Sequence, residues 1–69
     1  MTSKLYEIKF YHSSDKSEKV IEYNLTLTSA IEYLRFFAQK HGVKFTRNMR
    51  RIERKYATYS VAYYIEAQA

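Results

Sequence analysis

The sequence predicts an α+β fold: a small antiparallel β-sheet with one amphipathic helix packed on one face. Three observations lead there. Two alternating apolar–polar runs, KLYEIKFYH and VIEYNLTL, flank a short polar stretch. A helical period of apolar residues follows in SAIEYLRFFAQKHG, and a third alternating run, TYSVAYYIEA, lies near the end of the chain. The element order is β-β-α-β-β or β-β-α-α-β, depending on how residues 46–56 fold.

In the first run Tyr6, Ile8 and Phe10 point one way, while Leu5, Glu7, Lys9 and Tyr11 point the other. Ser13 to Lys19 is rich in turn formers. The second run then alternates, with Ile21, Tyr23, Leu25 and Leu27 expected on one face and Val20, Glu22, Asn24 and Thr26 on the other. Two such runs around a short polar loop read as a β-hairpin with one buried face.

The helix is expected over 29–41. Ser29 and Glu32 have the S-x-x-E spacing of a capping box, in which each side chain satisfies a free backbone N–H. Gly42 suits the left-handed residue that closes a helix, and Lys40 and His41 lie at the negative end of the dipole. At 100° per residue Ala30, Ile31, Tyr33, Leu34, Phe37, Ala38 and His41 share one broad face. Glu32, Arg35 and Gln39 oppose it, with Phe36 on the flank.

Residues 46–56 carry two periods. As a helix, Phe45, Met49, Ile52 and Tyr56 would share an arc opposite the arginines. As a strand, the segment would pair with the final run and complete a meander of short connections. The strand reading is narrowly preferred, because Arg47 in a first helical turn opposes the dipole. In the last run Tyr59, Val61, Tyr63 and Ile65 form one face, and Ser60, Ala62, Tyr64 and Glu66 the other.

The 69 residues, 1–69, are read as a single small domain. A domain of this size buries only about 60% of its unfolded surface, so its stability is marginal without help. With no cysteine, neither a disulfide nor a thiolate zinc site is available. At 46% hydrophobic the chain is apolar enough to fold. No apolar run approaches the roughly 20 residues needed to cross a membrane, and the N-terminal stretch shows no signal core. The expectation is a cytoplasmic protein without membrane contact.

The charge is concentrated in one place. Lys44, Arg47, Arg50, Arg51, Arg54 and Lys55 stand against Glu53 alone, and this one segment carries the whole net charge of +5; elsewhere acids and bases balance. A focused excess points to an anionic partner more than a diffuse one does. Arginine presents a planar fork matched to phosphate oxygens. An ordinary solvated basic face is the plainer alternative. The tyrosines are the second feature. Most fall at strand or inner helix positions, where they serve as core with a hydroxyl at the rim. Tyr11 and Tyr64 fall on outer faces, where a ring beside arginines could stack an unpaired base.

Catalytic signals are weak. The stretch HSSD, residues 12–15, contains serine, histidine and aspartate. A nucleophilic triad needs them assembled in space with an oxyanion hole, whereas serine and aspartate are ordinary loop residues. His41 fits capping or packing better than acid–base work, and Glu53 reads as an ion-pair partner. No phosphate loop, paired-acid site or metal-ligand spacing is present, so no cofactor or metal is expected.

RKYATYSVAYYIE, 13 residues, resembles the terminal hairpin of ribosome-targeting ribonuclease toxins of the RelE/ParE kind. The N-terminal hairpin departs from that family, which opens with helices, so its activity is not carried over.

Two functions follow. The first is a non-enzymatic nucleic-acid-binding module that uses segment 44–55 on phosphates, with Tyr64 as an added contact. The second is a small stand-alone inhibitor, phage- or virus-type, that docks on an acidic surface of a host protein through exposed aromatics such as Phe36 and Tyr64. A homodimer joined by paired sheet edges is compatible with either.

Overall fold

In the computed structural model the described residues are 4–68; the first three residues of the stretch read as lacking a signal core lie outside them. The elements are β1 (Tyr6–His12), β2 (Ser17–Leu25), α1 (Leu27–His41), β3 (Arg51–Lys55) and β4 (Ser60–Ala67). The four strands form one antiparallel sheet in the order β2-β1-β4-β3, so the β-β-α-β-β order is the one adopted. Helix α1 crosses one face, touching all four strands. No helix among the described residues is long and apolar enough to cross a membrane.

The core is what the alternation predicts on β1 and β4. Ile8 and Ile65 are cross-strand partners, as are Phe10 and Tyr63, and all four face the helix. Ile8, Ala30, Leu34 and Ala38 are fully buried, and Ile52 and Val61 nearly so. This burial of apolar surface is what holds so small a sheet and helix together.

Strand β2 departs from simple alternation. Its pairing with β1 runs Lys9 with Val20, Ile8 with Glu22 and Tyr6 with Leu25, so β2 carries an extra residue at each of two steps. Each bulge moves the following side chains to the other face. Ile21 and Leu25 therefore pack on the core, whereas Tyr23, expected beside them, is 67% exposed. Asn24 adopts a left-handed φ of 58° within the second bulge, a conformation asparagine tolerates. The Gln68 side chain holds it from across the sheet: its Oε1 accepts from the Asn24 N–H, and its Nε2 donates to Asn24 Oδ1 at 3.1 Å.

The helix starts one turn before the expected capping box. Thr26 is the N-cap, its side chain accepting from the Ser29 N–H at 3.2 Å, so Leu27 belongs to the helix rather than to the strand face. Glu32, freed of the capping role, pairs instead with Arg35 and Arg47. The C-terminus closes as expected. Gly42 has φ 68°, and the Gly42 and Val43 N–H groups donate to Gln39 and Ala38 carbonyls. Tyr33 sits at the margin of the apolar arc and is exposed, not buried.

No second helix forms over 46–56. A turn closed by the Met49 N–H on the Thr46 carbonyl precedes strand β3. Phe45, Met49 and Ile52, which the helical reading aligned on one arc, do pack on the core, two from the loop and one from the strand.

Where α1 ends, aromatic rings continue the cover over the sheet. His41 sits between Tyr56 and Tyr63; Tyr56 stacks on Tyr59 (4.9 Å between centroids), and Tyr59 stacks on His12 (4.8 Å). Phe10 closes the circuit, 6.2 Å from His12 and 5.0 Å from Tyr63. Val61, paired with His12 on one side and Arg54 on the other, is buried at this end.

Candidate nucleic-acid interface

The basic segment does not form one flat patch. It leaves the helix at Gly42, passes through the loop, and returns as the edge strand β3. Alternation on that strand then divides its side chains. Arg51, Glu53 and Lys55 face away from the helix; Ile52 and Arg54 face towards it. Because β3 is outermost, both sets border the same edge.

Each base has distinct surroundings. Arg47 reaches back to Glu32 at 3.4 Å. Arg50 donates to the carbonyls of Arg47 (3.1 Å) and Met49 (3.2 Å), while its own carbonyl accepts from the Ile65 N–H. These bonds hold the guanidinium without neutralising it. Arg51 lies 3.9 Å from Glu53. The Arg54 guanidinium lies 5.4 Å from the centre of the Tyr56 ring, a cation–π distance. Among the described residues, no carboxylate lies within 4.0 Å of Lys44, Arg50, Arg54 or Lys55.

Tyr64 is the cross-strand partner of Arg51, on the face away from the helix. Its hydroxyl donates to Glu18. A shallow groove on this face is lined by Tyr11, Glu18, Arg50, Arg51, Tyr64 and Ile65. Three of the expected contact residues, Arg50, Arg51 and Tyr64, therefore meet in one place. Lys44, Arg47, Arg54 and Lys55 lie outside it.

The rest of this face is acidic. Lys9 is ringed by Glu66 (3.2 Å), Glu7 (3.7 Å) and Glu18 (3.8 Å). The hydrogen bond to Glu66 holds the Lys9 ammonium above its ordinary pKa; the charges of Glu66, Glu7 and Glu18 add to this, and desolvation opposes it. The excess positive charge thus lies on the β3 side of the sheet, while Glu7, Glu18 and Glu66 gather around Lys9 on β1.

His41, expected as a capping or packing residue at the end of the helix, packs between two tyrosines. Its Nδ1 lies 2.9 Å from the Tyr56 hydroxyl and its Nε2 2.9 Å from the Tyr63 hydroxyl. Burial, then the charges of Lys40 and Arg54, lower its pKa below the ordinary histidine value. Burial pushes the Tyr63 phenol up, with Tyr56 adding to it. The residues of the HSSD stretch form a turn. Ser14 approaches His12 Nδ1 at 2.9 Å, and Asp15 accepts from the Ser17 N–H; hydrogen bonding by the Ser17 side chain, then by its N–H, lowers the Asp15 pKa. Among the described residues no group of three or more His, Cys, Asp or Glu could hold a metal ion.

Sequence periods found the basic segment and the outward tyrosines but missed Glu18 as a groove residue. Its place follows from the hairpin register, in which it opposes Tyr11 in the regular stretch next to the turn, and alternation alone does not say which residues pair across a hairpin.

Comparison with protein families, curated proteins and solved structures finds no match for this chain.

Proposed function

We propose that this chain is a non-enzymatic nucleic-acid-binding module whose affinity is mainly electrostatic, with segment 44–55 along the β3 edge meeting phosphates. One observation carries the reading. The whole net charge of +5 resides in that segment, and four of its six cations have no carboxylate neighbour among the described residues. Unneutralised arginines on an edge bind phosphate oxygens and release counterions. A cytoplasmic setting belongs to the same proposal.

The test is a salt series with short duplex DNA, single-stranded DNA and RNA. Engagement of about five phosphates gives a log–log slope of about −4 to −5. Changing Arg50, Arg51 and Arg54 together to alanine should flatten it. No binding at low salt, or a slope the triple change leaves intact, rules the reading out.

A second reading has an observation of its own. Phe36 is 58% exposed on the helix flank beside Tyr33, and large exposed aromatics are typical anchors of protein interfaces. Under this reading the chain docks on an acidic host protein as an inhibitor, and Phe36→Ser abolishes capture of that protein while leaving nucleic-acid binding unchanged.

A further inference from the structure

The groove on the open face holds an apparent contradiction. Arg50 and Arg51 suit phosphate, yet Glu18 lies among them and repels it. We infer that the groove takes an unpaired base of a single-stranded nucleic acid, with Glu18 accepting a hydrogen bond from the base's exocyclic amino group. The inference rests on the nucleic-acid reading above and narrows it to a strand type and a base class.

The argument is one of complementary chemistry. A nucleotide presents three different surfaces: an anionic phosphate, a flat π-face and a polar edge. The groove presents a partner for each. Arg50 and Arg51 supply the cations, and Arg50 is already held by two backbone carbonyls in a defined position. Tyr11 and Tyr64, both half-buried on the sheet, supply aromatic surface for stacking. Glu18 supplies an acceptor. Its Oε1 takes the Tyr64 hydroxyl and lies 3.8 Å from Lys9, while the side chain remains 47% exposed, leaving Oε2 to a ligand.

A carboxylate accepts from the amino group of cytosine, and equally from those of adenine and guanine; thymine and uracil have none. In a duplex the stacking faces are covered and the pairing edges are used. Only an unpaired base offers a tyrosine its face and a carboxylate its amino edge together. The same carboxylate that weakens phosphate attraction therefore selects which base lies in the groove.

Fluorescence anisotropy with the purified protein tests this, using short labelled oligo(dC), oligo(dA), oligo(dT) and a mixed duplex at one low salt concentration. The wild type should bind oligo(dC) and oligo(dA) about tenfold tighter than oligo(dT), and all three tighter than the duplex. Glu18→Gln keeps an acceptor for Tyr64 and turns an amide NH2 outward. It should bring the three single strands within about twofold of one another. Equal binding of the three by the wild type overturns the inference, as does a preference that survives Glu18→Gln or tighter binding of the duplex; each leaves the electrostatic reading standing. Absence of binding to every probe overturns both.

Discussion

Nε2 of His41 and the hydroxyl of Tyr63 lie 2.9 Å apart, tying the last residue of α1 to the centre of β4. Nδ1 makes the matching contact with Tyr56. A neutral imidazole has one donor and one acceptor nitrogen, and each tyrosine hydroxyl can play either role, so the bracket is fully satisfied with His41 uncharged.

Stability should therefore depend on pH through this residue. Burial, Lys40 and Arg54 lower the His41 pKa in the folded protein below the ordinary 6.5. The unfolded chain then binds the proton more readily, and stability falls as pH drops from about 6.5 towards the folded value. Above about 6.5 the residue contributes no pH dependence. Urea midpoints across this window should drift downward with acid in the wild type. His41→Gln, which does not titrate, should remove that part of the drift; an unchanged drift would exclude His41 as its source.

Tyr63→Phe removes the hydroxyl and keeps the ring stacked on Phe37, 4.3 Å away and nearly parallel. The loss should be about 1 kcal/mol, the cost of leaving one imidazole nitrogen without its partner. Tyr63→Ala also removes core volume and should cost about 3–5 kcal/mol. Denaturant titrations that gave the two variants the same midpoint would show that the ring, not the bond, is idle.

Gly42 isolates a backbone effect. A Cβ built there meets nothing within 4 Å, yet φ is 68°. Gly42→Ala should thus destabilise by about 1 kcal/mol through conformation alone. Gly42→Asn should cost less, since asparagine tolerates that region. Thermal melts that rank asparagine below alanine would contradict this account.

The N-terminus of α1 gives a direct comparison of two candidate caps. Thr26→Ala should cost about 1 kcal/mol, because its hydroxyl satisfies the Ser29 N–H. Ser29→Ala removes only the 3.1 Å contact from the Thr26 hydroxyl and should cost less. If chemical denaturation ranks them the other way, the helix begins a turn later than described.

Alternation exposed the inner faces of β1 and β4 because Ile8, Phe10, Tyr63 and Ile65 lie in unbulged pairing. The same rule failed on β2, where two extra residues turn Tyr23 out; a bulge depends on backbone geometry across the hairpin. The helix start was misplaced because Thr26 also fits a strand, and its role as a cap emerges only once β2 stops at Leu25. For the candidate site, the location of the charge was plain from composition. Its division between Arg51 and Lys55 on one face and Arg54 on the other required knowing that 51–55 is a strand. The ring from His12 through Tyr59 and Tyr56 to His41 joins three separate segments, so no local pattern could reveal it.

The strand order β2-β1-β4-β3 places the first and last strands side by side at the centre of the sheet. During synthesis the N-terminal hairpin and helix emerge early, but β3 has no partner and the helix only half a surface to cover. Ser60–Ala67 supplies the missing middle, and with it the partners of both Ile8 and Ile52. The sheet is therefore completed only once β4 has followed β3 out of the ribosome. A chain that stopped between Lys55 and Ser60 would hold the β1–β2 hairpin and strand β3 with nothing to join them.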